Sequence, residues 1–437
     1  MTPGSTPGAP GVVVVTGVSR FLGAHVASRL VADGRIARVV GLDTHEPAAE
    51  IAGLLDGVER VRADAGAVST IVDELGADAV VHLALATAAD PQQGGRAAMK
   101  EQNVIGTMQL LAAAQRAPRL RKLVVRSSTA AYGASFRDPA VFTEDTEPRA
   151  VPRGGFARDI LDIEGYVRGF RRRRPDVTAT VLRFAPFIGS MADTTLTRYF
   201  AQPVVPTVLG RDPRLQFVHF DDVLEVLHRS VVEEHPGTFN VAGPGVLALS
   251  QAIRRAGRVA LPVVEQGLSG AAGLARVLGF GWYGLDQVDL FVHGRVVDTT
   301  RLTTEYGFTP RSTAAAFDEF IASRRDGTVL GPEQLRRAEQ MIMDGIRQTR
   351  ATVRDRIAQL GAVESAAVAD PAAPPAGAGP AEGARPADGT VLADGTEPAE
   401  SSGPIDSTGP ADSSGLAGRA GLADGAGPVK RGGRDDR

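Results

Sequence analysis

The residues with the clearest chemical purpose lie near the start of the chain, in Thr16-Gly17-Val18-Ser19-Arg20-Phe21-Leu22-Gly23. They follow a β-branched run over 11–16 (GVVVVT) and lead into helical spacing over 22–30. Gly17 permits a tight turn, and Gly23 lets the new helix pack closely on the strand. A helix beginning there presents unpaired N–H groups to a pyrophosphate. Asp43 ends a second short strand 20 residues beyond Gly23. A carboxylate at that place accepts hydrogen bonds from adenosine ribose hydroxyls. Together these features predict a dinucleotide site. Asp43 would repel a 2′-phosphate, which favours NAD over NADP as cofactor. Such turns usually carry a third glycine, but position 20 is arginine. Two readings of Arg20 stay open: it adds a cation beside the cofactor phosphates, or it crowds the turn.

The elements that must position these residues alternate along the chain. The run over 11–16 reads as a strand buried on both faces; runs over 38–43, 79–83, 122–126 and 178–184 read as further strands, and 58–62 as a weak one. Helical spacing appears over 97–117, with Met108, Leu110, Leu111 and Ala114 on its apolar side, and over 155–173. Strands and helices in this rhythm predict an α/β fold with a doubly wound parallel sheet, Rossmann-type, and a smaller C-terminal capping domain. The expected organisation is a disordered start at 1–10, a dinucleotide-binding domain over 11–185 and a mixed substrate or capping region over 186–325. Late strands of that region return to the sheet. An amphipathic helix over 326–364 carries Leu335, Ile342, Ile346, Val353, Ile357 and Leu360 on one side. It either folds back on its own domain or forms an oligomer contact. The stretch over 365–437 is rich in Gly and Pro and lacks aromatic residues, so it reads as a disordered tail. The arginine run over 171–174 reads as a solvated helix C-terminus, where cations are favoured.

Composition narrows the function classes. The 437 residues are 43% apolar and 23% charged, with a formal net charge of −3 and no cysteine. That balance gives no electrostatic reason to expect nucleic acid. The lack of cysteine removes disulfide frameworks, thiolate zinc sites and cysteine nucleophiles, and suits a reducing compartment. No apolar run reaches the ~18–20 residues of a membrane span, and the Gly/Leu-rich stretch over 268–284 reads as a packed or cleft-lining helix. The first ten residues carry no apolar leader. A cytoplasmic protein acting on a small molecule, away from membranes, is the expectation. Seven histidines without paired spacing predict no metal site.

Over about residues 11–325 the chain resembles the extended short-chain dehydrogenase/reductases of the NAD-dependent epimerase/dehydratase family, whose members include UDP-glucose 4-epimerase. It is also similar to an actinobacterial group of epimerase-like proteins. The landmarks are Gly17 to Gly23, Asp43, Asp64, His82-Leu83-Ala84, Asn103 in NVIGT, Ser127 to Gly133, Leu182-Arg183, His219 with Asp221-Asp222 in FVHFDD, and Asn240 in TFNVAG. The resemblance implies that Gly17, Arg20, Phe21, Leu22, Gly23 and Asp43 hold the cofactor, with Asp64 and Ala65 near the adenine. Leu83 and Ala84 would line the nicotinamide-side ribose and phosphates, and Asn103 would brace the sheet edge. Ser128 matches the serine or threonine that hydrogen-bonds the reacting oxygen of the substrate. Tyr132, Arg211, Arg214 and Arg295 are the substrate-binding candidates. His219 and its two aspartates read as structural landmarks. Family members often pair through the helices beside strands four and five, so the partner implied is a second copy in a homodimer.

The same resemblance exposes an absence. Hydride transfer in this family uses a Tyr-x-x-x-Lys pair: the phenol trades a proton with the substrate, and the ammonium one helical turn on lowers its pKa. With Glu164 to Val167 setting the register, those positions fall on Phe156 and Ile160. Phe has no exchangeable proton and Ile no charge. The nucleotide-sugar members' Asn falls on Pro186, and their diphosphate-gripping Arg on Leu215. The readings are an epimerase-like or oxidoreductase-like enzyme with atypical catalysis, acting on a nucleotide sugar or related substrate, and a catalytically silent NAD(H)-binding protein with a regulatory or structural role. An unorthodox relay through Tyr132 or Tyr166 belongs to the first.

Overall fold

The computed structural model describes residues 9–63, 72, 74–149, 151–152, 155–192, 194–263 and 285–324, with scattered positions over 333–355. Asp64, Ala65, the apolar stripe expected over 326–364, the stretch over 268–284 and the tail lie outside the described residues. Contacts separate Met1–Ser365 from Ala366–Arg437, and every described residue belongs to the first unit.

The β-branched runs become strands β1 (Val12–Thr16), β2 (Arg38–Asp43), β3 (Glu59–Arg62), β4 (Ala79–His82), β5 (Lys122–Ser128) and β6 (Thr178–Phe184). A seventh strand, Gly237–Val241, returns from the later half of the chain. All seven form one parallel sheet in the order β3-β2-β1-β4-β5-β6 and then the seventh. The chain moves outward on both sides of β1, so the direction of winding switches between β1 and β4. A crevice opens there at the carboxyl ends of the strands, where Thr16 stands beside Leu42 and His82.

Apolar layers cover both faces, as an all-parallel sheet requires. On one face Val13, Val15, Leu22 and Leu30 pack with Val223 and Leu227 of the helix Phe220–Val232. On the other, Val14 and Val80 pack with Leu110, Leu111, Ile160 and Ile163 of the helices Gly106–Arg116 and Gly155–Arg173. A third cluster around Phe200, Phe217 and Phe317 forms the smaller capping region, with its own paired strands Val204–Val208 and Val259–Val263. No helix among the described residues is long and apolar enough to cross a membrane.

Two local expectations need correction. The helix over 97–117 is broken into Gly95–Lys100, a π-helical turn Glu101–Ile105 and Gly106–Arg116, and Met108 points outward with 41% exposure. The arginine run is not simply solvated. Arg171 Nη2 donates to the carbonyls of Ala179 and Gly237, at 2.9 and 2.5 Å. Arg174 donates to the carbonyls of Ala114, Ala117 and Leu120, at 3.0, 3.1 and 3.2 Å, closing the end of the preceding helix. Orphan carbonyls at a helix C-terminus supply the acceptors that a bare charge argument overlooks.

Candidate functional site

β1 ends at a turn that leaves no room for side chains. Gly17 has φ +81°, and a Cβ there would lie 2.8 Å from the Cα and N of Ala84. A Cβ on Gly23 would lie 2.0 Å from the Gly17 carbonyl oxygen. Both glycines are therefore demanded by backbone contact. The turn runs into the helix Phe21–Val31, with extended Arg20 at its N-cap. Asp43 faces this turn from the end of β2. Its Oδ2 accepts from Ser19 N at 3.0 Å, and its Oδ1 from Thr44 N and His45 N at 2.8 and 3.2 Å. These residues and Ala84, Ala86 and Gln102 border a cavity of about 1210 Å³.

The opposite wall is set by a chain of buried polar groups. Thr107 Oγ1 donates to the Asn103 carbonyl at 2.5 Å, so it accepts from Nε2 of His82 at 2.8 Å. That leaves Nδ1 of His82 as the acceptor for the Thr16 hydroxyl, at 2.8 Å. Burial, with the charge of Arg126 second, pushes the His82 imidazole down to about 4, so it is neutral at pH 7. Asn103 exchanges two hydrogen bonds with the backbone of Ala86, at 2.8 and 2.9 Å, and donates to Asp159 at 3.0 Å. It holds the loop after β4 in place instead of touching a ligand.

Arg20 divides the crevice. Its guanidinium crosses from the turn to Leu85 O at 3.2 Å and Gln102 Oε1 at 2.9 Å, and it borders both the first cavity and a second of about 480 Å³. Burial lowers its pKa, and Asp43 opposes that shift. The second cavity is bounded by Ser128, Phe156, Phe21, Leu22, Arg126 and Arg295, among others. Ser128 Oγ accepts from Ala130 N at 3.1 Å. Among the described lining residues there is no Asp, Glu, His, Lys or Tyr. A site so walled offers hydrogen-bond donors and apolar surface, but no side chain able to take up a proton near pH 7.

The sequence model of the NAD-dependent epimerase/dehydratase family matches residues 13–242. The chain belongs to that family. Uncharacterized proteins of Mycobacterium tuberculosis and Mycobacterium bovis are 43% identical over 333 residues, covering 76% of this chain and 88% of theirs. Among solved structures, UDP-glucose 4-epimerase of Thermotoga maritima with UDP-glucose has TM-score 0.57 and 19% identity, covering 72% of this chain and 98% of that one. UDP-glucuronic acid 4-epimerase of Bacillus cereus, in complex with UDP-glucuronic acid and NAD, has TM-score 0.54 and 17% identity, covering 71% and 98%. At such identities the likeness is one of fold.

For this epimerase/dehydratase-family chain, the structure sorts the residues singled out in the sequence. Asp43, Ala84 and Arg20 come together around the first cavity, and Gly17 and Gly23 shape the turn beside it. Phe21 and Leu22, expected to hold the cofactor, line the second cavity with Ser128. Leu83 is also a correction: its side chain is buried in the core, and only its backbone approaches Gly17. Tyr132, a substrate-binding candidate, is not among the residues bordering these three cavities. It is 2% exposed, and its hydroxyl donates to Asn240 Oδ1 and accepts from Arg183 Nη1, both at 2.7 Å. Burial drives that phenol up to about 12, which also removes it as a relay. Arg183 in turn forms a bidentate pair with Glu164, at 2.9 and 2.6 Å. Arg211 and Arg214 border a separate cavity of about 390 Å³, and Arg295 alone of the three reaches both. Phe156 is 9% exposed at the wall of the second cavity, while Ile160 is 0% exposed within the core. His219 caps the helix Phe220–Val232 and lies against Arg311 and Glu319. The residue that sequence reading missed is Arg126, which borders the second cavity. Its signal was a lone charge at the end of an apolar strand, directly before Ser127-Ser128.

Proposed function

We propose that this protein binds NAD in the crevice and does not carry out ordinary hydride-transfer catalysis on sugars. The first cavity fits the adenosine half of the cofactor. Gly17 and Gly23 leave room only for backbone, the N–H groups of the helix Phe21–Val31 open toward the turn, and Asp43 is already oriented by three backbone donors. Both acceptors that now hold Arg20 are neutral, so a charged phosphate would compete well for its guanidinium. Bound NAD would supply a hydride acceptor. What the described lining of the second cavity lacks is a group to move the accompanying proton.

The observation that carries this reading is Phe156 facing the Ser128 cavity, with Ile160 sealed in the core behind it. Loss of one acid–base group typically costs about 10²–10⁴ in rate, and neither member of the pair has a substitute among the described lining residues. A silent NAD(H)-binding protein follows, with a regulatory or structural role in a reducing cytoplasm. The second reading, an epimerase-like enzyme of reduced activity on a nucleotide sugar, is favoured by Arg295, which reaches both the Ser128 cavity and the one holding Arg211 and Arg214.

The test is calorimetric titration with NAD and NADP, followed by NADH absorbance with UDP-glucose, UDP-glucuronic acid and dTDP-glucose. NAD should bind more tightly than NADP, Asp43→Asn should weaken NAD about 10-fold or more, and no sugar should give turnover. Sustained turnover on any of them would replace this reading with the enzymatic one.

A further inference from the structure

The cavity beside Ser128 has a charge that the absent catalytic pair does not explain. Arg20, Arg126, Arg198 and Arg295 border it, and no carboxylate does among the described residues. Arg126 has no hydrogen-bond or ion-pair partner among the described residues, and its contact is with the ring of Phe187, 5.4 Å from Cζ to the centroid. Burial pushes its guanidinium down to about 10, and the nearby charge of Arg20 pushes the same way. Arg20 itself rests only on the neutral acceptors Leu85 O and Gln102 Oε1. Two cations thus border one cavity: Arg20 feels the charge of Asp43 from the neighbouring cavity, while Arg126 has no counter-ion, which costs folding free energy unless a ligand supplies the charge.

We propose that this cavity is a binding site for a small phosphomonoester with an apolar or aromatic body, gripped through its phosphate by Arg126 and Arg20. Two guanidinium groups select the ligand's charge. A terminal phosphate carries about −1.5 to −2 at pH 7 and presents three acceptor oxygens, enough to balance both; a carboxylate balances one. The walls select its body. Six phenylalanines border the space, Phe21, Phe156 and Phe291 among them, so a flat apolar group packs beside the phosphate. The cavity of about 480 Å³ admits a small molecule and excludes a folded partner. On this view Phe156 is part of the wall for that body. The site adjoins the dinucleotide cavity and shares Arg20 with it, so bound NAD and the phosphomonoester compete for that guanidinium, while Arg126 borders the second cavity alone.

The experiment is calorimetric titration of the full chain with phenyl phosphate, inorganic phosphate and benzoate. Phenyl phosphate should bind at least tenfold more tightly than benzoate, which has the same ring and half the charge, and also more tightly than inorganic phosphate. Arg126→Met should weaken phenyl phosphate at least tenfold and, by removing an unbalanced buried cation, raise the thermal midpoint without ligand. Arg126→Lys should fall between the two in affinity. In an Asp43→Asn background, where NAD binding is weakened, Arg126→Met should still weaken phenyl phosphate at least tenfold, which separates this site from the NAD reading. Equal affinity for phenyl phosphate and benzoate, or unchanged phenyl phosphate binding in Arg126→Met, would overturn the proposal.

Discussion

Restoring the missing ammonium, Ile160→Lys, should damage the fold and not awaken chemistry. Ile160 is fully buried against Val125, Ile163 and Val181. Losing its packing costs about 1.5–3 kcal/mol, and taking an ammonium out of water adds several more. The sum, roughly 4 kcal/mol or above, is a large part of the ~5–15 kcal/mol that holds a domain folded. The sign of the pH effect follows. A buried lysine has its pKa pushed below the ordinary ~10.4, so the unfolded chain binds the extra proton. Stability of the variant should therefore rise with pH between about 7 and 10, relative to the parent. Phe156→Tyr, at the cavity wall, should cost about 1 kcal/mol or less, because its new hydroxyl can face the open space. Urea denaturation at pH 7 and pH 9.5 measures all of this. If Ile160→Lys unfolds within about 0.5 kcal/mol of the parent at both pH values, or if the double variant gains NADH-linked turnover, the scaffold is a disarmed enzyme and the argument from burial fails.

Three further outcomes follow from the geometry. Gly17→Ala combines a left-handed backbone with a 2.8 Å approach to Ala84, and urea midpoints should show a loss of roughly 2–4 kcal/mol. Arg183→Met leaves Glu164 buried without its cation and should cost about 3–5 kcal/mol, with the Tyr132 hydroxyl also losing a donor. His82 has a folded pKa near 4 against an ordinary value near 6.5, so the unfolded state binds the proton first as pH falls. Stability should drop by roughly 3 kcal/mol between pH 6.5 and 4, and His82→Gln should remove that part of the acid dependence in a pH series of thermal melts.

What could be read in advance was whatever depends on neighbours in sequence. The run 11–16, the glycines at 17 and 23 and the carboxylate at 43 declare a strand, a turn and a cradle, because each requirement is local. The helix over 155–173 has the expected limits, Gly155–Arg173, and places Phe156 and Ile160 on its inner side. The rest needed the chain to close on itself. Arg126 looks like an ordinary strand end until β5 brings it toward Arg20 across a shared cavity. Tyr132 looks available beside Ser128, yet Asn240 and Arg183 claim its hydroxyl from the two strands beyond β5. Arg174 looks solvated until the carbonyls left over by Gly106–Arg116 are counted. Long-range neighbours, invisible to spacing, decided all three.

The π-helical turn at Glu101–Ile105 sets the rotation of the helical segments on either side of it. Such a turn amounts to one residue more than the regular ladder accommodates. Removing that residue would swing whatever precedes or follows by about 100°. Asn103 would then lose Ala86 and Asp159, and Gln102 would lose Arg20. Length in this short segment is thus a strict constraint: a single deletion would release the bar across the crevice and the loop beside it together.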